Sequence, residues 1–583
     1  MKKLQFLYTF FLSCLALTFS VRSEACSNVL VTKGASVDGS NMITYAADSH
    51  ALFGELYFLP AADWKAGSMR EVRDWDTGRY LGMIPQPAHT YQRVGNMNEH
   101  QVIIAETTYG GRHELCDTTG IVDYGSLIYI ALERAKTARE AIQVMTTLPQ
   151  EYGYFSEGES FSIADKDEVW ILEVIGKGMK MVDGKNVNKG IVWVARRVPD
   201  GYICAHANQS RISTFPLDDP ENCMYSEDVI TFAREMGYFD GKDEDFSFCD
   251  AYAPLDFMAM RGCEARAWSA FNILTQGNFT FVDEGGNEIT RPANDYLDYA
   301  MGFDKTKRFP LFVKPSEKVS LKALADVMRD HYEGTPMDMT ADIGAGGNEC
   351  PYRWRPMTFE VDGVTYMNER AIATQQTGFW FVGQARPWLP DVIGSLIWFG
   401  CDDAATSYLT PVYVNTLDVP ESLREGNGDI LTYSPTSAFW VCNRVANSCY
   451  KMYNHMHAEV KAHYDAWENA QIAGIPEVDE AAMLLYDKAV KGRKSSKKML
   501  KVREYLTEYS LNAAADIFSQ WCELEELLLI KFLDGNIKGQ NPDGSFKRSD
   551  LNPRNPGEIK NRPYSEIWQR TVARDHGEVI RVR

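Results

Sequence analysis

Short apolar runs separated by turn-forming residues fill the first half of the chain, a pattern typical of β-strands. Residues 27–32 are rich in Val and Leu, Asp38-Gly39 marks a turn, and residues 42–46 form the predicted hairpin partner. The same pattern predicts further strands at residues 101–107, 160–164, 169–174, 191–195 and 202–205. The amino-terminal part of the protein is therefore expected to be β-rich.

Two stretches within this region have helical rather than strand periodicity. Residues 126–135 place Leu127, Ile130 and Ala131 on one face, and Thr137 begins a capping box that opens a second helix. Strands with a helical pair between them are typical of sheets that are covered by helices. We therefore predict an α+β fold.

The chain changes character towards its carboxyl end. It becomes helical and highly charged from about Met456, and a long apolar face over residues 500–533 predicts packing on the main body. The residues beyond are rich in Asn, Pro, Gly and Arg, which favours irregular structure. We therefore expect a main domain over residues 26–450, a helical extension over 451–535 and an extended surface tail over 536–583.

Residues 1–25 have the features of a secretory signal peptide. Two lysines precede an apolar stretch over residues 4–21, and Ser23 and Ala25 put small residues at the positions that signal peptidase reads. A transmembrane anchor and a lipid-modified Cys26 are the alternatives. Cleavage after Ala25 would deliver the protein to the periplasm or outside the cell, and Cys26 would become its first residue.

Composition and charge indicate a folded protein whose acidic surface does not favour binding to nucleic acid or to anionic membranes. Hydrophobic residues make up 45% of the 583 residues and aromatic residues 12%, enough for a large folded core. Asp and Glu number 80 against 60 Lys and Arg, which gives a formal charge of −20. Such a surface repels nucleic acid and anionic lipid, so we expect neither nucleic acid nor, after signal cleavage, a membrane as a partner. A homo-oligomer is compatible with these numbers.

Common cofactor and metal motifs are absent from the sequence. It contains no G-x-S-x-G elbow, no H-E-x-x-H pair and no G-x-x-x-x-G-K-[ST] loop. No two of its 12 cysteines are spaced as C-x-x-C, and loss of Cys14 with the signal would leave an odd number. We therefore expect no metal and no cofactor, and at least one cysteine without a disulfide partner in the same chain.

Cys26 acquires special chemistry if it becomes the amino terminus. An α-amine has an ordinary pKa of about 7.7–8.0 and can take the proton of its own thiol, directly or through one water. One residue then supplies both the nucleophile and the base, and the same amine can protonate the leaving group. A buried structural cysteine or a disulfide-bonded cysteine is the alternative interpretation.

Short motifs in collinear order from Cys26 to about Asn447 extend this hypothesis. Together they resemble the bacterial dipeptidase family of N-terminal-nucleophile (Ntn) cysteine hydrolases, which are relatives of penicillin V acylase and bile salt hydrolase. The motifs are Cys26-Ser27-Asn28-Val29-Leu30-Val31-Thr32, Asp38-Gly39-Ser40, Met97-Asn98-Glu99, Gly158-Glu159-Ser160-Phe161-Ser162-Ile163-Ala164-Asp165, Trp170-Ile171-Leu172-Glu173, Ala207-Asn208-Gln209-Ser210-Arg211-Ile212, Tyr332-Glu333-Gly334-Thr335-Pro336 and Gln384-Ala385-Arg386-Pro387-Trp388-Leu389-Pro390.

The resemblance implies a fold and a set of catalytic roles. The fold would be a four-layer α/β/β/α sandwich of two mostly antiparallel sheets. Cys26 would be the nucleophile, Asp48 the acid beside its amine, and Arg266 a cation beside its thiolate. Asn208 and the backbone N–H of Thr108 would form the oxyanion hole. A turn-capping Asp48, a loop-stabilising Asn208 and a surface ion pair of Arg266 are the structural alternatives.

The resemblance also implies hydrolysis of short peptides with an unblocked amino terminus. A carboxylate in the pocket would bind the ammonium of such a peptide, and Glu106 and Glu159 are the candidates, although each could be a structural acid at a strand end. Related acylases carry Arg where this chain has Tyr45, which removes a charge from the pocket. An acylase for a non-peptide amide such as a conjugated bile acid, and a catalytically silent peptide-binding protein, are the alternative functions.

Overall fold

Two large β-sheets form the centre of the protein. The computed structural model describes residues 26–353, 357–491 and 496–583, and the predicted signal peptide lies outside these ranges. The strands of the two sheets, in chain order, are β1 (Asn28–Val31), β2 (Asn41–Asp48), β3 (Phe58–Leu59), β4 (Arg93–Val94), β5 (Met97–Asn98), β6 (Ile103–Gly110), β7 (Gly158–Ala164), β8 (Val169–Gly176), β9 (Ile191–Arg197), β10 (Ile203–His206), β11 (Cys223–Tyr225), β12 (Phe312–Val313), β13 (Thr377–Ala385), β14 (Ser395–Cys401) and β15 (Thr410–Tyr413).

Neighbouring strands in both sheets are antiparallel. The first sheet has seven strands in the order β12-β10-β1-β2-β13-β14-β15, and the second has eight in the order β11-β9-β8-β7-β6-β5-β4-β3. The predicted hairpin is confirmed, with Leu30 of β1 opposite Ile43 of β2. The other five predicted strands are present as β6 to β10.

Twelve α-helices accompany the sheets in the described ranges. They are α1 (Tyr124–Arg134), α2 (Ala138–Tyr152), α3 (Val229–Glu235), α4 (Phe248–Tyr252), α5 (Ala265–Leu274), α6 (Leu297–Ala300), α7 (Leu321–Val327), α8 (Asp391–Gly394), α9 (Ala438–Cys449), α10 (Tyr453–Val490), α11 (Ser496–Lys531) and α12 (Glu566–Ile580). The predicted helical pair is α1 and α2, and the side chain of Thr137 caps α2 by accepting a hydrogen bond from the Glu140 N–H. Within the three described ranges, none of these helices has the combined length and apolar character that crossing a bilayer requires.

Smaller elements connect this framework. Short 3₁₀ turns are His113–Leu115, Asp243–Asp245, Ala293–Tyr296, Ile343–Asn348, Ala404–Thr406, Glu421–Leu423 and Leu533–Gly535, and a π-helical turn, Ala259–Glu264, leads into α5. Two-stranded ribbons pair Ala62–Asp63 with His89–Thr90, Met69–Arg73 with Tyr80–Pro85, Met181–Val182 with Lys185–Asn186, Asn278–Val282 with Glu288–Pro292, Thr358–Val361 with Val364–Met367, and Ile537–Lys538 with Ile559–Lys560.

Alternating side chains divide the apolar core between the faces of the sheets. One cluster includes Ile43 and Phe381 from the first sheet together with Ile171 from the second. A second cluster joins the other face of the first sheet to α5 and α7, through residues such as Trp380 and Phe271. A third joins the other face of the second sheet to α1 and α2. The protein is thus a mixed α/β structure of antiparallel sheets covered by helices.

The long carboxyl-terminal helices pack on the main body, as the apolar face of residues 500–533 predicts. Val478 of α10 and Leu506 of α11 belong to the cluster that covers the first sheet. Arg329 and Glu468 form a buried ion pair across this contact, with an N–O distance of 2.5 Å. These helices therefore form part of the covering of the sheet.

The carboxyl-terminal tail contains a helix that the sequence does not predict. Glu566–Ile580 form the helix α12, where the sequence predicts an extended segment, and that prediction is wrong for these residues. Pro563 is the last proline of the chain, so nothing after it interrupts helical hydrogen bonding. An ion pair between Glu566 and Arg570, four residues apart, adds local support.

Candidate active site

The two central strands of the first sheet determine the position of Cys26. The residue directly precedes β1, and Ser27 forms an antiparallel bridge with Ala46 of β2. The Cys26 side chain is 4% exposed and belongs to the cluster between the two sheets. None of the eleven cysteines in the described ranges is in a disulfide bond.

Cys26 lies in the wall of a cavity of about 270 Å³. Aromatic residues from several elements form much of the surface, among them Trp75, Tyr124 and Phe379. The acidic residues of the lining are Asp48, Asp76 and Glu106. No Lys, Arg or His from the described part of the chain lines it. A cavity with carboxyl groups and aromatic walls favours a small ligand that carries a positive charge.

The Cys26 sulfur lies close to two polar side chains. Its Sγ atom is 3.6 Å from Glu106 Oε1 and 3.8 Å from the Tyr45 hydroxyl oxygen. The Tyr45 hydroxyl in turn donates a hydrogen bond to Glu106 Oε1. Burial raises the pKa of Tyr45 well above its ordinary value, so the phenol is neutral and acts as a donor. Glu106 Oε1 therefore accepts from both the hydroxyl and the thiol.

Arg266 connects Cys26 to Asn208. Its guanidinium donates to the Cys26 carbonyl oxygen at 2.5 Å and to Ser27 Oγ at 2.9 Å. Its other terminal nitrogen donates to Asn208 Oδ1 at 2.9 Å, and Asn208 Nδ2 donates to the Thr108 carbonyl oxygen at 2.7 Å. Asn208 has a φ of 57°, in the left-handed region. The network fixes the backbone of Cys26 and the orientation of the Asn208 amide.

The structure links Arg266, Asn208 and Thr108 to Cys26 through one chain of hydrogen bonds, but the contacts differ in detail from the expectation. Arg266 donates to the Cys26 carbonyl oxygen, whereas the sequence predicts a cation beside the sulfur. Neither Asn208 nor Thr108 belongs to the lining of the cavity. Thr108 accepts from Asn208 through its carbonyl oxygen and donates from its hydroxyl to Glu159 Oε1 at 2.8 Å.

Asp48 lines the cavity from the end of β2. It forms an ion pair with Arg370 and accepts a hydrogen bond from the Thr377 hydroxyl at 2.6 Å. Burial raises the pKa of Asp48, and the positive charge of Arg370 opposes that shift. The carboxylate is thus held by its own partners at one wall of the cavity.

Glu106 and Glu159 lie together, but only Glu106 lines the cavity. They lie one diagonal step apart on the paired strands β6 and β7, and each carboxyl group shifts the pKa of the other. Burial raises the pKa of both groups, and the neighbouring Glu106 raises that of Glu159 further. Of the two predicted ammonium-binding candidates, Glu106 can therefore touch a ligand, and Glu159 lies behind it.

Sequence reasoning missed several residues at this site. Tyr45 entered only as a departure from the related acylases, and Asp76, Tyr124 and Arg370 did not enter at all. Tyr124 begins α1, and its hydroxyl donates to Asp76 at 3.0 Å. The sequence predicts this helix over residues 126–135, so Tyr124 lay just before the predicted element. Within the described ranges, no group of three or more His, Cys, Asp or Glu residues is arranged to hold a metal ion.

Comparisons with known proteins agree on one family. The model of "Peptidase family C69" matches residues 55–466, a range that begins after Cys26 and Asp48. The chain is 24% identical over 411 residues to a "Probable dipeptidase" of Salmonella dublin, covering 67% of this chain and 81% of that protein. It is 22% identical over 531 residues to a "Probable dipeptidase" of Latilactobacillus sakei, covering 86% and 96%. It is 25% identical over 460 residues to a "Dipeptidase" of Bifidobacterium longum (strain NCC 2705), covering 72% and 76%.

Proposed function

Since the chain belongs to peptidase family C69, we propose that this peptidase is an exported cysteine dipeptidase of the N-terminal-nucleophile type. It hydrolyses short peptides whose amino terminus is unblocked. The proposal rests mainly on the position of Cys26. Its sulfur lies in the wall of an acidic cavity, next to Glu106. Its backbone carbonyl accepts a hydrogen bond from Arg266, which also donates to Asn208. The relatives that bear the name dipeptidase support the same substrate class.

The proposal includes a finer description of the fold. The two sheets and the helices on their outer faces would form the four-layer α/β/β/α sandwich of Ntn hydrolases. Support comes from three of the four apolar clusters, one between the sheets and one between each sheet and the helices on its other face, while the fourth joins α9, α10 and α11 to one another. In this description α10 and α11 belong to an outer layer rather than to a separate extension.

Catalysis would begin once residues 1–25 have been removed and the α-amine of Cys26 is exposed. The amine takes the thiol proton, and the sulfur attacks the carbonyl carbon of the scissile bond. The C–N bond breaks as the amine returns the proton to the leaving nitrogen, so one amino acid departs and a thioester remains. Water, losing a proton to the same amine, then hydrolyses the thioester and restores the thiol.

Asn208 and the backbone N–H of Thr108 are the proposed donors to the oxyanion. A side-chain amide nitrogen carries two N–H groups, and the bond from Asn208 Nδ2 to the Thr108 carbonyl uses one of them. The second can be offered to the oxygen on which negative charge develops. Arg266 supports this role because its donation to Asn208 Oδ1 fixes the orientation of the amide, with Nδ2 pointing away from the guanidinium.

The lining of the cavity supports an unblocked dipeptide as substrate. The ammonium of a dipeptide lies one residue from the scissile bond, and Asp48, Asp76 and Glu106 lie in the same cavity as Cys26. The volume of about 270 Å³ is slightly below the usual range of small-molecule sites, roughly 300–1,000 Å³. A small, acidic cavity favours a dipeptide over a bulky conjugated bile acid.

Export and localisation rest on the sequence of residues 1–25. We propose that the mature enzyme works in the periplasm or outside the cell, with a small peptide as its partner and without a metal or cofactor. Amino-terminal sequencing of the exported protein tests this part. Cys26 as the first residue would support it, and retention of residues 1–25 on the active enzyme would refute it.

The test of the activity is hydrolysis of a panel of dipeptides by the mature enzyme and by the variants Cys26→Ser and Cys116→Ser. We expect Cys26→Ser to lose nearly all hydrolysis, because a serine hydroxyl ionises far less readily than a thiol. Cys116→Ser, a half-buried cysteine away from the cavity lining, is the matched control and should retain activity. A thiol alkylator should inactivate the enzyme and a chelator should not. Full activity of Cys26→Ser would overturn the assignment of the nucleophile.

A further inference from the structure

Glu106 and Glu159 lie on adjacent strands of the second sheet, β6 and β7. Thr108 is directly opposite Glu159 in the register of these strands, and Glu106 is two residues away on the same strand. Both glutamates are almost completely buried, at 1% and 0% exposure. The register puts the two side chains diagonally across the strand pair on one face of the sheet, where each carboxyl group shifts the pKa of the other. One acid thus lines the cavity that holds Cys26, and the other is packed next to it.

In each of the two carboxyl groups, one oxygen accepts hydrogen bonds and the other accepts none from the described residues. Glu106 Oε1 accepts from Tyr45 and Cys26, and Glu159 Oε1 accepts from the Thr108 hydroxyl. Glu106 Oε2 and Glu159 Oε2 are both buried, and neither receives a hydrogen bond from a donor in the described ranges. A single proton between the two groups would give each carboxyl the partner that it lacks.

No Lys, Arg or His side chain is among the described neighbours that act on the two carboxyl groups, and the α-amine of mature Cys26 is neutral when it serves as the base. The titratable groups that interact electrostatically with Glu106 or Glu159 include Cys26, Tyr45, Asp76, Tyr109, Tyr129, Tyr154 and Glu157. Two neighbouring carboxylates that are out of water cannot both be ionised without a counter-charge, so one of them keeps its proton.

We propose that Glu106 and Glu159 share one proton and form a single negative charge that binds the α-ammonium of the substrate dipeptide. This inference rests on the proposed function. Glu106 touches the ligand because it lines the cavity. Glu159 is a positioning residue: it donates the shared proton to Glu106 and leaves the outer oxygen of that carboxylate to the ammonium.

The net charge of the pair matches that of the substrate ammonium only when the pair holds one proton. A singly charged pair and one ammonium neutralise each other inside the cavity. A doubly protonated pair offers no charge to the ligand. A blocked or absent amine leaves the pair without its partner, so the pair selects for a peptide with one free ammonium near the scissile bond.

The first test compares Glu159→Gln with Glu159→Leu. Glutamine keeps a neutral N–H donor next to Glu106, so we expect a KM for the best-cleaved dipeptide within about threefold of the wild type. Leucine removes the donor, and KM should rise about 10–100-fold while kcat changes less. Glu157→Gln is the matched control, since this neighbouring carboxyl is partly exposed and pairs with His113. Its KM should change less than twofold.

The comparison with a desamino dipeptide, which lacks only the ammonium, separates binding from folding. Glu159→Leu should weaken cleavage of the free dipeptide and leave the desamino analogue unchanged. The ratio of kcat/KM for the two substrates should fall as the pH drops and Glu106 becomes protonated, and in Glu159→Leu this fall should begin at a higher pH. Equal damage by Glu159→Gln and Glu159→Leu would overturn the proposal, because it would mean that the charge of Glu159 is needed.

A spectroscopic readout tests the shared proton without substrate. Infrared difference spectra of the wild type and Glu159→Gln near pH 7 should show the C=O band of a protonated carboxyl in the wild type only. Absence of that band from the wild type would refute the shared proton, even if the enzyme is a dipeptidase. An enzyme that cleaves no dipeptide but shows the band would contradict the proposed function and leave the protonated pair standing.

Discussion

Glu106 and Glu173 lie on strands of the same sheet and are equally buried, but their hydrogen bonds differ. Glu173 Oε1 accepts from the Arg211 backbone N–H at 2.6 Å, and Glu173 Oε2 accepts from the Ser210 hydroxyl and from the Ile212 N–H. Both of its oxygens therefore have donors. Glu106 Oε2 has none in the described ranges, and its carboxyl group faces a cavity.

His206 resembles Glu173 in this respect. It lies on β10, and its Nδ1 and Nε2 atoms are each 2.7 Å from a hydroxyl, those of Thr107 and Ser162. Burial lowers the pKa of His206 to about 3, so the ring is neutral and can use one nitrogen as donor and the other as acceptor. The polar atoms of His206 and Glu173 are thus paired with other groups of the protein and are not available to a ligand.

The difference shows which buried polar groups bind a ligand and which hold the fold. Burial alone does not separate the two classes, because Glu106, Glu173 and His206 are all 0–1% exposed. What separates them is position: the Glu106 carboxyl group lines the cavity, whereas Glu173 and His206 lie outside its lining and have their polar atoms paired within the fold. We therefore expect substitutions at the cavity to change kinetics, and substitutions at Glu173 and His206 to change stability.

The largest effect on rate, short of removing the nucleophile, is expected for Asn208→Ala. Loss of one oxyanion donor typically lowers kcat about 10²–10³-fold, with a much smaller change in KM. Steady-state kinetics with a dipeptide measure both. Asn98→Ala is the matched control, since the buried Asn98 amide bonds to backbone groups in the described ranges: it donates to the oxygens of Leu132 and Ala135 and accepts from the N–H groups of His100 and Val102. A pure KM effect at Asn208 would mean that it binds substrate and is not an oxyanion donor.

Glu106→Gln should mainly affect substrate binding. We expect KM for a free dipeptide to rise about 10–100-fold, the value of a charge-assisted hydrogen bond, because the ammonium loses its carboxylate. A desamino analogue of the same dipeptide should be cleaved equally well by variant and wild type. An equal loss with both substrates would place Glu106 in the chemical step and would weaken the contrast with Glu173.

Glu173→Ala should destabilise the protein. The substitution leaves the Arg211 and Ile212 N–H groups and the Ser210 hydroxyl without their acceptor, and we expect the free energy of unfolding to fall by about 1–3 kcal/mol. Denaturant unfolding measures this change. At a temperature where the variant is folded, kcat/KM should stay within about threefold of the wild type. A large kinetic effect without a loss of stability would contradict a structural role.

His206 should make the protein sensitive to acid. Its pKa is about 3 in the folded protein and about 6.5 in the unfolded chain, so between these values only the unfolded chain binds the proton. The free energy of unfolding therefore decreases as the pH falls from about 6.5 to 3. Between pH 7 and pH 5 the loss due to this ring is about 2 kcal/mol, at roughly 1.4 kcal/mol per pKa unit.

The variant His206→Gln isolates this contribution, because the amide keeps a donor and an acceptor but does not titrate. Denaturant unfolding at pH 7 and pH 5 should show a smaller loss of stability in the variant than in the wild type. Equal losses in the two proteins would mean that other groups account for the acid sensitivity.

The sequence predicted the strands well because their periodicity is local. Each apolar run from residue 27 to residue 205 corresponds to a strand of one of the two sheets. The helix Glu566–Ile580 was missed because the irregular composition of the tail, which ends at Pro563, was extended to the end of the chain. Apolar residues recur there at helical spacing and were a local signal for this helix, namely Ile567, Trp568, Val572, Val579 and Ile580.

The site was only partly predictable, for reasons of sequence separation. The strand pattern could place Cys26, Asp48 and Glu106 at strand ends or within strands, but not at one cavity. Arg370, the partner of Asp48, is 322 residues away along the chain. The proximity of Glu106 and Glu159 depends on the register of β6 and β7, and a shift of one residue would point one acid to the other face.

The most direct measurement of the central claim uses the mature chain with one additional alanine before Cys26, in a form that cannot be trimmed. The thiol is unchanged, but the nitrogen of Cys26 becomes an amide and can no longer accept a proton near pH 7. The new amine lies about 3.8 Å further along the chain. We expect dipeptide hydrolysis to fall at least about 10²-fold, the lower end of what general acid–base catalysis contributes. Full activity, with the added alanine confirmed by mass spectrometry, would show that the α-amine of Cys26 is not the base.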